Sequence, residues 1–241
     1  MAMAAPSAMI TATPQAPATT TITTSTIMII TTPEAARLRL AQYLSPAFPV
    51  GGFAWSQGLE WAIDQGAATR ATLPGWLGDW LEHGAGWTDA VLVALSLRAD
   101  ADHDALDDLA RATCPSAQRL AETVEQGTAF SANASALGQA LPAAALPVAF
   151  GRACADMPLP DTESIAAYLQ AQAAALISTA VRFMPLGPVE GQAMLAALQP
   201  AILRAAHRAS TAGETDLHSA TWGADIAAMR HETMQTRIFR S

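Results

Sequence analysis

Leu73, Trp76, Leu77, Trp80 and Leu81 recur at i, i+3, i+4, i+7 and i+8, the apolar stripe of a helix with one face in a core. This is the clearest periodicity in the chain, and Thr72 stands before it as an N-cap. The same reading, punctuated by Pro, Gly and short polar breaks, predicts helices at 33–44, from near Ser56, and at about 89–100, 104–113, 117–138, 143–155, 161–183 and 188–208. A short helix is expected at 221–229. At the first of these, Thr32, Pro33 and Glu34 supply the cap, the first helical position and a first-turn acid. Beyond the N-terminal stretch, Val, Ile, Thr and aromatic residues never alternate with period two over a long run. The expected fold class is therefore all-α, a single-domain bundle of about eight to ten helices with short connections.

Residues 1–32 carry no charge and are mostly Ala, Thr, Pro and Met, so they are expected to form a disordered arm. The apolar cluster Ile27–Ile30 has no basic region before it, and no Arg precedes Arg37, so neither a secretory nor a mitochondrial address is expected. The helical domain is placed at 33–213 and a C-terminal tail at 214–241. The Ala-rich stretches are broken before any uninterrupted apolar run of about 18 residues, so the expectation is a soluble, cytoplasmic protein that does not enter a membrane.

A chain of 241 residues that is 51% hydrophobic can bury a sizeable core. Its formal net charge of −8 disfavours a phosphate backbone as a partner, so no nucleic acid is expected. All 13 basic side chains are Arg, and the missing lysine excludes a Walker A loop and a Schiff-base or general-base lysine. Cys114 and Cys154 are too few for a disulfide framework and are expected to be buried, inert thiols.

Catalytic constellations are scarce. Asp79, Glu82 and His83 share a helix face and would suit either a metal ion or plain solvation. His103 lies among Asp100, Asp102, Asp104, Asp107 and Asp108, which without the Gly and closing Glu of an EF-hand read as an acidic interhelical turn. No catalytic residue, metal or cofactor is assigned.

Two segments stand out. In Ser45–Trp61 a Pro/Gly loop carries Phe48, Val50, Phe53 and Trp55 into a helix, where a plain connector would be shorter and more polar. In Met229–Ser241 three arginines stand beside Ile238 and Phe239. That end is either a solubilising tail or a docking peptide, mobile when free.

At these two segments the chain resembles the UreF family of urease accessory proteins. Ser45, Pro46, Pro49, Gly51, Gly52, Phe53, Ser56, Gly58, Leu59 and Glu60 carry one family stretch. His231, Glu232, Arg237, Ile238, Phe239, Arg240 and Ser241 carry the other. Val181–Leu195 and Leu81–Asp89 are similar to two further family stretches, so the resemblance spans about residues 37–241. Trp55 stands where the family often has Tyr. Pro188 stands where it often has Gln, which removes that side chain and a backbone N–H.

The resemblance implies an all-α, cytosolic, non-enzymatic maturation factor. It implies a homodimer that joins the accessory protein UreD (also called UreH) and recruits the GTPase UreG to deliver nickel to apo-urease. The residues expected to bind partners are Pro49, Gly51, Gly52, Phe53, Trp55, Ser56, Glu60, His231, Arg237, Phe239 and Arg240. The competing reading is a metal-dependent hydrolase or nickel-binding chaperone using the Asp79, Glu82 and His83 face.

Overall fold

The computed structural model describes residues 32–240; apart from Thr32, the expected N-terminal arm lies outside the described residues. In chain order the helices are α1 (Pro33–Tyr43), α2 (Leu59–Asp64), α3 (Leu73–His83), α4 (Ala85–Ser96), α5 (His103–Ala112), α6 (Ala117–Ala136), α7 (Leu146–Cys154), α8 (Asp161–Phe183), α9 (Pro188–Ser210) and α10 (Trp222–His231). Single 3-10 turns cover Gly52–Ala54 and Glu214–Asp216. There is no strand among the described residues, so the expected all-α fold is what forms.

Local chemistry explains most boundaries. The Thr32 hydroxyl accepts from the Ala35 N–H (3.2 Å), Asp102 caps α5 through the Ala105 N–H (3.1 Å), and Ser116 caps α6 through the Arg119 N–H (3.1 Å). Thr72 departs from expectation: it precedes α3, but its hydroxyl accepts from the Thr69 N–H of the preceding turn (2.9 Å). Helix α2 starts at Leu59 rather than near Ser56, because Gln57 and Gly58 take positive φ values of 52° and 77°. Helix α4 begins at Ala85, which places Asp89 inside it as a buried residue.

Long helices α8 and α9 pair along their length, α4 lies between α7, α8 and α9, and α6 packs on α7. Buried alanines, among them Ala90, Ala145, Ala173, Ala180, Ala205 and Ala209, let the helices approach closely, which is how an Ala-rich chain fills its core. An aromatic chain of Tyr43, Phe48, Phe130, Phe150 and Tyr168 ties α1, the following loop, α6, α7 and α8 together, with successive ring centroids 5.1–6.1 Å apart. By length and composition alone α8 is apolar enough to span a membrane, but Gln170 and Gln172 interrupt its apolar run, and 50% of its most apolar stretch is buried in the bundle.

A polar cluster sits inside this packing. Arg119 bonds both Asp89 carboxylate oxygens (2.9 and 2.7 Å), and the Tyr168 hydroxyl donates to Asp89 (2.9 Å). Glu122 faces Arg119 at 3.5 Å and accepts from Gln126 and Gln57, whose Oε1 in turn accepts from the Trp80 indole (2.9 Å). Burial alone would lower Arg119, but the Asp89 and Glu122 carboxylates outweigh it and hold the guanidinium above its ordinary value. Burial pushes the Glu122 carboxyl up, although Arg119 opposes the shift. Burial also raises both thiols, Cys114 and Cys154.

Candidate partner-docking site

The loop after α1 is shaped by its own backbone. Phe48 N–H donates to Ser45 O (2.8 Å), Asn133 donates to Pro49 O (3.1 Å), and Gly51 turns the chain at φ 73°. Gly52 does not share that conformation, so of the glycine pair only Gly51 meets a positive-φ requirement. The turn sorts the aromatic residues: Phe48 and Trp55 are buried, Val50 is half-buried, and Phe53 is 76% exposed.

The tail does not extend freely as expected: Glu232 is held on α6, and residues 238–240 on α2 and this loop. Glu60 on α2 is the reason. Its carboxylate is fully buried and accepts from the Ile238 N–H (2.6 Å) and the Phe239 N–H (3.0 Å), and it meets His231 Nε2 at 2.7 Å. His231 Nδ1 meets Gln118 Oε1 on α6 (2.8 Å), while the neighbouring Glu232 carboxylate caps α6 through the Ala117 N–H (2.9 Å). A buried carboxylate is expensive unless its lone pairs are used, and here the tail backbone uses them. Gly58 allows the approach, because a Cβ there would run into the backbone of Ala227 and Ala228 in α10.

Beyond Glu60 the tail reaches the loop. The Arg240 N–H donates to Ala54 O (2.7 Å), the Arg240 guanidinium stacks 4.5 Å from the Trp55 ring centroid, and it forks onto Glu125 at 2.6 and 2.9 Å. Phe239 is buried with the Arg182 guanidinium 4.4 Å from its centroid. Thr179 donates to Trp55 O (3.3 Å) and fixes the loop to α8.

The structure thus gathers all eleven candidate residues at one place but divides them. Pro49, Gly51, Phe53, Arg237 and Arg240 are exposed and Gly52 is partly so, whereas Trp55, Ser56, Glu60, His231 and Phe239 are buried and hold the exposed ones in position. Arg182, Gln118 and Glu125 also belong to this arrangement and were not among the candidates. Arg182 lies in the Val181–Leu195 stretch, so a signal for it existed; Gln118 and Glu125 carry none in the sequence. Trp222, Ile226 and Met229 form a second exposed apolar ridge at i, i+4 and i+7 on α10.

The other candidates resolve differently. Glu82 pairs with Arg204 (2.8 Å), which holds its carboxyl below the ordinary value through that hydrogen bond. Asp102 is a helix cap, Asp107 accepts from Ala145 N–H and Arg111, and His103 meets Ser96 O (2.9 Å). Among the described residues no group of three His, Cys, Asp or Glu side chains is placed to hold a metal ion. Pro188 occupies the first turn of α9, where a missing N–H costs nothing.

The family model that matches this chain is UreF, over residues 67–199. A urease accessory protein UreF from Paracoccus denitrificans is 77% identical over 215 residues, covering 89% of this chain and 100% of the relative. The chain belongs to the UreF family. A UreF from Cereibacter sphaeroides (strain ATCC 17029) is 53% identical over 209 residues, 86% of this chain and 99% of the relative. One from Roseobacter denitrificans is 46% identical over 224 residues, 92% of this chain and 100% of the relative. These relatives are named as urease accessory proteins.

Proposed function

We propose that this chain is a non-enzymatic cytosolic scaffold. As a homodimer it joins UreD (UreH), and together they recruit the GTPase UreG so that nickel is delivered to apo-urease. The observation that carries the reading is the hydrogen bond from Arg240 N–H to Ala54 O (2.7 Å), which sets the tail carrying exposed Ile238 beside the loop carrying exposed Phe53 within a chain of the UreF family. Large apolar side chains beside arginines are the composition of interface hot spots. GTP chemistry would belong to the partner, since this chain carries neither lysine nor phosphate loop.

The test is co-purification with UreD and UreG, followed by nickel-dependent activation of apo-urease by the mixture. The unaltered protein captures UreD and supports activation. Phe53→Asp, a change at an exposed side chain, folds normally and loses capture. Release of phosphate from GTP by the isolated protein, or failure of the unaltered protein to capture UreD, overturns the scaffold reading.

A further inference from the structure

The face built by the loop and the tail has a chemical character of its own. Its apolar projections are Phe53, 76% exposed, and Ile238, 67% exposed. Arg182 borders them. Its guanidinium touches the Phe239 ring and donates to Ser178 O (3.2 Å) and Thr179 Oγ1 (3.4 Å), and no carboxylate among the described residues lies within ion-pair distance of it. Burial lowers the Arg182 guanidinium from its ordinary value. Arg237, next to Ile238, is exposed. Beside this rim opens a cleft of about 1020 Å³, lined in part by Phe48, Val50, Phe53, Trp55, Phe130 and Arg182.

We propose that this face receives a protein segment in which Asp or Glu side chains flank a large apolar side chain, the apolar group entering the cleft while the carboxylates meet Arg182 and Arg237. The inference rests on the docking reading above and adds the chemistry of the partner. A guanidinium presents planar paired donors that match a carboxylate, and here part of that capacity is spent only on a carbonyl and a hydroxyl. The chain as a whole is at −8, so an acidic partner is attracted by the local arginines and not by the overall field. The same net charge repels a nucleic-acid backbone, the other ligand that arginines recognise.

Random short peptides displayed on phage are selected on the immobilised full-length protein, and the survivors are measured on Arg237→Glu and Arg182→Gln. The expected survivors carry Asp or Glu beside Phe, Leu or Trp, bind about tenfold more weakly to each variant, and weaken as salt rises. Arg237 is exposed, so Arg237→Glu retains the melting temperature even if Arg182→Gln loosens Phe239. Survivors without acidic residues, affinities unchanged in Arg237→Glu, or single-stranded RNA competing for the same face each overturn the proposal. UreD capture unaffected by Arg237→Glu, with no acidic peptides selected, removes the inference and leaves the scaffold reading intact. Loss of UreD capture by the unaltered protein removes the scaffold reading, while selected acidic peptides still support the chemistry of the face.

Discussion

The main-chain N–H of Phe239 donates to the Glu60 carboxylate at 3.0 Å, joining two residues 179 positions apart, both buried. Through this contact α2 holds the tail, and the tail holds the loop through Arg240. Substituting Glu60 by Ala strands two backbone N–H groups and His231 in the interior. Such losses cost about 3 kcal/mol or more, and Glu60→Gln, which still accepts hydrogen bonds, loses less. Urea denaturation of both variants measures the difference.

A chain ending at Met229 lacks buried His231 and Phe239 and leaves the Glu60 carboxylate without its donors. Deleting a buried Phe alone costs about 3–5 kcal/mol, and about 1 kcal/mol moves the melting temperature of a domain this size by about 2–4 °C. The truncated chain is expected to melt about 10 °C lower, as read by circular dichroism. An unchanged melting temperature would show that the tail is not part of the packed core.

Gly51 and Gly58 both sit at positive φ, 73° and 77°, but their surroundings differ. A side chain at Gly51 meets open space, whereas one at Gly58 meets the backbone of α10. Gly51→Ala should therefore cost only the left-handed strain, about 1–2 kcal/mol. Gly58→Ala should cost more, because α2 and α10 must separate. Thermal melts of the two variants side by side test the order.

Glu122 gives a pH dependence with a definite sign. Burial raises its carboxyl in the folded chain, so the folded state holds this proton more tightly than the unfolded state does. Its contribution to stability is greatest below the ordinary carboxylate range, near pH 4. It is lost as pH rises through that range toward the raised folded value. Glu122→Gln removes the titration while keeping an acceptor for Gln57 and Gln126. The variant is expected to gain stability on the unaltered protein as pH rises from acid to neutral, measured by urea denaturation across that range.

Buried thiols react slowly because the thiolate is the nucleophile and burial disfavours it. Cys154 is buried and Cys114 partly so, and burial raises both thiols. In the native protein at neutral pH both are expected to react with a disulfide reagent far more slowly than after unfolding in guanidinium, as followed by thiolate release.

Periodicity, caps and Pro/Gly punctuation by themselves determined the all-α fold and most helix positions, because these signals act within a few residues of one another. Thr32, Pro33 and the Leu73–Leu81 stripe are of this kind. Composition by itself excluded lysine chemistry, and the two motif-bearing ends pointed to the UreF family. The tertiary structure alone decided which motif residues face outward. Glu60 and His231 stand among the expected partner-binding residues, yet α2, α10 and the tail converge and turn them inward, where they bond each other. Phe53 and Trp55 are two positions apart, yet one is 76% exposed and the other 5%, a split made by the Gly51 turn and by Arg240 stacking from the far end of the chain. Contacts of that span have no local signature, since burial of a polar side chain depends on which distant donors arrive to satisfy it.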